Sequence, residues 1–139
     1  MAGPRREIKK AAQRLILDSG AVIALAHGEV RARAFLARAL ELGVFVEVPA
    51  VVVAETLRGG PRDAQVNRAL KAIGQIVATD EQTARTAGRL LAAARSSATV
   101  DALVVAHAVE AGGAQILTGD QEDLVRLAAP HSEVLIRPL

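Results

Sequence analysis

Five short aliphatic runs, separated by longer alanine- and arginine-rich stretches, constrain the fold of this chain more than any other feature. Leu15-Ile16-Leu17 reads as a buried strand that ends at Gly20, with Asp18 near its carboxyl end. A short helix from Ala21 to Ala26 follows, stopped by His27-Gly28, and a longer one spans Glu29 to Leu42. Val44 to Val48 has the β-branched character of a second strand, and Pro49 suits the first turn of a helix carrying Val51 to Arg58. The run Val51-Val52-Val53 could instead extend the strand. A helix over Asp63 to Ile73 ends at Gly74, and Gln75 to Ala78 forms a third strand. Thr79-Asp80-Glu81-Gln82 fits a capping box for the helix with Ala84, Ala87, Leu90, Leu91 and Ala94 on one face. Thr99 can cap the next helix, Val100 to Ala111. Ala114 to Thr118 is strand four, Glu122 to Ala128 a short helix, and Glu133 to Ile136 the closing strand. Strands alternating with helices imply an α/β fold, a mostly parallel central sheet covered on both faces. Ligands of such sheets bind beyond the carboxyl ends of the strands.

At 139 residues, 51% of them hydrophobic, the chain reads as one folded domain (14–139) behind a basic N-terminal extension (1–13), expected to be mobile or helical. Asp18 interrupts the apolar segment too early for a signal peptide, and no run approaches the ~18 residues of a membrane span. There is no cysteine, which excludes disulfides and thiolate metal sites and fits a cytoplasmic location. Net charge is only +2, but the 17 basic residues are mostly arginine, whose planar fork suits phosphate. On charge alone, solvated helix faces are the favoured explanation. Phe35 and Phe45 are the only aromatic residues, so bases cannot stack on an aromatic platform.

The carboxylates gather where ligands bind. Asp18 follows strand one and Asp120 strand four; Glu55 lies in the first turns after strand two. Asp101 opens the helix leading into strand four, and Asp123 stands three residues past Asp120. Each has an innocent explanation. Acidic residues cap helices or favour their N-termini, and Glu55 can pair with Arg58. As a group they are harder to dismiss. Two carboxylates about 4 Å apart repel by roughly 4 kcal/mol at an effective dielectric near 20, so a cluster calls for a counter-ion. Oxygen donors without cysteine favour a hard cation, Mg²⁺ or Mn²⁺, and such sites serve phosphoryl transfer. The sequence does not show the side chains converging; topology permits it.

Leu-Asp18-Ser-Gly-Ala-Val-Ile-Ala-Leu, Ala-Glu55-Thr-Leu-Arg, Asp101-Ala-Leu-Val-Val-Ala-His-Ala and Ile-Leu-Thr118-Gly-Asp120-Gln-Glu-Asp123-Leu, in this order and spacing, resemble the motifs of PIN-domain nucleases. The closest resemblance is to the VapC-type toxins of bacterial toxin–antitoxin pairs, from about residue 14 to the C-terminus. It implies a three-layer α/β/α sandwich, a Mg²⁺- or Mn²⁺-dependent endoribonuclease, a homodimer and a cognate antitoxin. Asp18, Glu55, Asp101 and Asp120 are then the catalytic, metal-binding carboxylates, with Asp18 and Asp101 the principal ligands. Asp123 matches a more variable acidic position that can act through water. Thr118 and Ser19 would hydrogen-bond and orient the carboxylates. Ser19-Gly20 departs from the hydroxyl residue followed by Ser or Asn that the family often has, and the basic segment before Arg14 is longer than usual. Activated water would attack the RNA phosphodiester, leaving 5′-phosphate and 3′-hydroxyl ends. Arg58, Arg62, Arg85 and Arg89 are candidates for phosphate contact, with solvated surface or an acidic stretch of the antitoxin as equal alternatives. His27, His107 and His131 read as structural.

Two other sheet folds fit worse. A receiver-type domain needs an aspartate after strand three, where Ala78-Thr79 stands. A haloacid-dehalogenase-type phosphatase needs one two residues after Asp18, where Gly20 stands. No glycine-rich nucleotide loop is present. The alternative from another class is a catalytically weak PIN-like RNA- or protein-binding module acting through its antitoxin complex.

Overall fold

The computed structural model describes residue 11 and residues 13–139, so most of the basic extension expected at the N-terminus lies outside the described residues. Among the described residues, five strands alternate with seven helices: β1 (Arg14–Leu17), α1 (Ser19–Ala26), α2 (Val30–Glu41), β2 (Phe45–Pro49), α3 (Ala50–Thr56), α4 (Asp63–Ile73), β3 (Ile76–Val77), α5 (Glu81–Ala94), α6 (Thr99–Glu110), β4 (Ala114–Thr118), α7 (Glu122–Ala128) and β5 (Val134–Pro138). The strands form one all-parallel sheet in the order β3-β2-β1-β4-β5. Leu15 is in register with Val46 on one side and Gln115 on the other.

That order fixes the layers. From β1 the chain moves outward through β2 to β3, then crosses back to β4 on the other side of β1 and on to β5. Right-handed crossovers in opposite directions put α1–α4 on one face and α5–α7 on the other. This is the expected three-layer α/β/α sandwich, and its sheet is wholly parallel. Leu15, Ile16 and Leu17 of β1 and Ile116 and Leu117 of β4 are fully buried, which a strand covered on both faces requires. Helices α1 and α6 are apolar around most of their circumference because they pack on the sheet and on neighbouring helices; Val22, Val104 and Val105 are fully buried. Each such side chain contributes about 1.5–3 kcal/mol of transfer free energy. None of the described helices is long and apolar enough to cross a membrane.

Several boundaries differ from expectation for local reasons. Helix α1 begins at Ser19, not after Gly20, because Asp18 is its N-cap. Pro49 closes β2 and precedes α3, which ends at Thr56; Leu57 is extended, so Arg58 lies outside the helix and cannot pair with Glu55 as a helical neighbour. The cap of α5 is Asp80, whose Oδ1 accepts from Thr83 N at 2.8 Å. The Thr79 hydroxyl, expected to fill that role, instead meets His107 Nε2 at 2.9 Å. Thr99 sits inside α6, and Ala98 occupies the cap position with no side-chain bond. Strand β3 is only two residues long, and β5 continues to Pro138.

Candidate active site

In a parallel sheet the crevice opens where neighbouring strands lead off in opposite directions. Here that point lies between β1 and β4, and Asp18 and Asp120 follow those two strands. The Asp18 amide donates to the Leu117 carbonyl at 3.2 Å, and its Oδ1 accepts from Ala21 N at 2.9 Å. Asp18 is therefore a helix cap and a wall of the crevice at once. The Thr118 hydroxyl donates to the Asp120 carbonyl at 2.8 Å, accepts from Asp120 N at 3.0 Å, and stands within hydrogen-bonding reach of the Asp18 carboxylate. Its one proton serves one acceptor at a time. Gly20 permits this closeness. A Cβ there would meet Gly119 N at 3.0 Å and Gly119 Cα at 3.2 Å, so the Gly20 position is set by the β4–α7 turn.

The other carboxylates come from three helices. Asp101 is in the first turn of α6, Glu55 in the last turn of α3, and Asp123, beside Glu122, in the first turn of α7. They are neighbours in the field they exert. Burial pushes the Asp101 carboxyl up to about 6, helped by the charges of Asp123, Asp18, Glu55 and Asp120. Asp18 is also raised, chiefly by burial; Thr118 and the Ala21 amide oppose the rise, while Glu55 and Asp120 add to it. Among the described residues none of these five carboxylates forms an ion pair. The pairing that could have explained Glu55 does not form: Arg58 Nη1 donates to the carbonyls of Ala54 (3.1 Å) and Leu57 (2.9 Å).

The donor set is carboxylate oxygen, from buried Asp18, half-buried Asp101 and Asp123 and exposed Glu55 and Asp120, which suits Mg²⁺ or Mn²⁺ better than a softer ion. Among the described residues no three acidic or histidine side chains are already gathered as a ready cage. Mutually repelling anions are expected to stand apart until a cation is present.

The remaining expected residues are more dispersed. Ser19 opens α1, half-buried, with no side-chain hydrogen bond to any described residue. Arg58 and Arg62 flank the Gly59-Gly60-Pro61 turn that follows α3. Arg85 pairs with Glu81 at 2.7 Å, and Arg89 donates to Thr86 at 2.9 Å. Thr86 in turn donates to Glu110, at the far end of α6 from Asp101, about 13 Å along the helix. The structure thus sets the five carboxylates and Thr118 at one edge of the sheet without gathering them into a cage, has Arg58 and Arg62 on the turn after α3, and places Arg85 and Arg89 toward the opposite end of α6. His107 is buried and held by Thr79, His131 bonds Glu133 at 3.1 Å, and His27 is the exposed C-cap of α1. Sequence reasoning missed Asp63, whose carboxylate accepts from Arg58 N (3.0 Å) and Gly59 N (2.6 Å). An aspartate just after a Gly-Gly-Pro turn was the available signal.

Residues 15–130 match the family model of the PIN domain. Among curated proteins none matches at a significant level. Similar solved structures include a toxin–antitoxin complex from Klebsiella pneumoniae, with 19% identity and a TM-score of 0.65, covering 87% of this chain and 95% of that one. VapBC2 from Rickettsia felis, bound to a DNA fragment from their promoter, has 14% identity and a TM-score of 0.71 over 91% and 98%. FitAcB from Neisseria gonorrhoeae has 21% identity and a TM-score of 0.61 over 88% and 95%. With a family match over most of its length and the same fold in these structures, the chain belongs to the PIN domain family.

Proposed function

We propose that the protein is the toxin of a toxin–antitoxin pair and hydrolyses RNA phosphodiester bonds as a Mg²⁺- or Mn²⁺-dependent endoribonuclease. The observation that carries the reading is the set of carboxylates at one edge of the sheet, Asp18, Glu55, Asp101, Asp120 and Asp123, none in an ion pair among the described residues; burial, and after it the charges of the other four, raises the Asp101 carboxyl to about 6. The fold shared with toxin–antitoxin structures supports the toxin assignment and a cognate antitoxin partner, and family resemblance supports a homodimer.

Asp18 and Asp101 would be the principal ligands, with Glu55, Asp120 and Asp123 completing the oxygen set. When bound, the cation supplies Lewis acidity toward phosphate oxygens and lowers the pKa of water. Thr118 bonds the Asp120 backbone and stands within hydrogen-bonding reach of the Asp18 carboxylate, so it would position two of the ligands relative to one another. Glu55 and Asp120 remain exposed and can accept a proton from water at the open side of the crevice. Arg58 and Arg62, on the turn that follows α3, would meet the negative charge of the strand.

Purified protein should cleave RNA with Mg²⁺ or Mn²⁺ and not in chelator, and Asp101→Asn should abolish cleavage while remaining folded. Cleavage in chelator that persists in the Asp101→Asn protein would overturn this mechanism. The absence of a ready three-residue cage among the described residues favours the second reading, a catalytically weak binding module acting through its antitoxin. A calorimetric Mn²⁺ titration that shows no binding, together with no cleavage, would select it.

A further inference from the structure

Two adjoining cavities line the outer side of α1, and they share Ala26, His27 and Gln65. The first, about 900 Å³, begins at Ile23 of α1, the helix that Asp18 caps, and at Thr56, the residue after Glu55, and is lined by Arg58 and Arg62. The second, about 510 Å³, continues past the C-cap of α1 and carries Arg68 and Arg33. Arg62, Gln65, Arg68 and Ala72 recur at three- and four-residue spacing, so they share one face of α4. Arg33 faces them from α2, its guanidinium so close over Gly28 that a Cβ there would stand 3.3 Å from it. Four arginines therefore follow one groove. The one carboxylate in its lining, Asp63, is already bound to the Arg58 and Gly59 amides.

We propose that this groove is the path of single-stranded RNA running from the carboxylates along α1, with Arg58, Arg62, Arg68 and Arg33 contacting successive phosphates. Asp63 is the positioning residue of its near end. Its clasp on two consecutive amides holds the glycine-rich turn, and Arg58 Nη1 is anchored on the Ala54 and Leu57 carbonyls, which leaves the Nε and Nη2 edge for phosphate. With only two phenylalanines in the chain, recognition here rests on charge and on the aliphatic floor at Ile23 and Ala26 rather than on stacking.

The inference rests on the ribonuclease reading but is tested by binding, so the two fail separately. A fluorescein-labelled twelve-residue oligoadenylate is titrated into Asp101→Asn protein over a range of KCl concentrations, and cleavage is measured independently on the unmodified protein. For single strands the logarithm of affinity falls with the logarithm of salt by about 0.7 per phosphate contact. Arg33→Ala and Arg68→Ala should each reduce that slope by about 0.7 and weaken binding several-fold. Arg38→Ala, an exposed arginine paired with Glu41 on α2, should leave the slope alone. Asp63→Ala should weaken binding as much as Arg58→Ala, with no further loss in the double variant, at a melting temperature that shows it folded. Unchanged slopes in the Arg33 and Arg68 variants overturn the proposal. So does binding of poly-L-glutamate with the same arginine dependence where oligoadenylate shows none, which would assign the groove to an acidic protein segment. Absence of cleavage by the unmodified protein would instead count against the ribonuclease reading.

Discussion

The two ends of helix α6 could hardly be treated more differently. At its C-terminal end every polar group has a partner. His107 meets the Thr79 hydroxyl, Glu110 accepts from Thr86, and Thr86 accepts from Arg89. At its N-terminal end Asp101 faces four other carboxylates and forms no ion pair among the described residues. One helix, buried along most of its length, thus carries a satisfied network at one end and uncompensated repulsion at the other. Folding alone gives no reason to concentrate anions there, and a binding requirement does. The difference also separates residues whose loss should cost stability from residues whose loss should cost activity.

The largest effect should come from Asp101→Asn: cleavage down by on the order of 10²–10³ or more, the scale of removing one preorganised electrostatic contact. The same change should stabilise the metal-free protein at neutral pH by about 1 kcal/mol after allowance for solvent screening, read by chemical denaturation in chelator. A loss of stability instead would mean that Asp101 serves the fold. At the other end, Thr79→Ala should cost about 1–3 kcal/mol by leaving a buried imidazole nitrogen unpartnered, while kcat stays near its original value.

The pH responses of the two ends should oppose one another. Folded Asp101 holds its proton up to about pH 6, against an ordinary value of 3.8, so its contribution to stability is present at low pH and lost as pH rises through about 6. Burial holds folded His107 below its ordinary 6.5, so its contribution is present above that value and lost as pH falls below it. Denaturation of Asp101→Asn and His107→Gln across pH 4–8 in chelator should separate the two slopes; parallel curves would contradict the contrast. Gly20→Ala should cost roughly 1–3 kcal/mol through the contact with Gly119, and should lower cleavage because that turn carries Asp120. Arg85→Ala removes an exposed pair with Glu81 and should change stability by no more than about 0.5 kcal/mol.

The sheet was legible because buried parallel strands must be short, continuous and aliphatic, and Leu15-Ile16-Leu17 and Ile116-Leu117 could be little else. The carboxylates were legible as a set because the strand and helix ends on which they sit are fixed by that sheet. The caps were less so. Thr79 and Asp80 are adjacent and both can cap a helix, and what decides between them is His107, distant in sequence, which takes the Thr79 hydroxyl. Arg33 and Arg68 looked like ordinary helix-surface charges, since the groove that unites them exists only once α2 and α4 flank α1. Asp63 was hidden for a related reason: its clasp on Arg58 and Gly59 reverses the usual direction, from a helix start back to the turn before it.

The position of the crevice between β1 and β4 has a consequence for how the protein is made. Asp18 belongs to the first strand in sequence order, whereas Asp101, Thr118 and Asp120 come from the last third of the chain. Translation proceeds at about 5–20 residues per second, and β1 gains its β4 partner only when that last third has left the ribosome. A chain synthesised only as far as β3 has Asp18 and Glu55 but neither Asp101 nor Asp120, so its carboxylate set is incomplete. The acidic crevice is thus assembled only once β4 has joined β1.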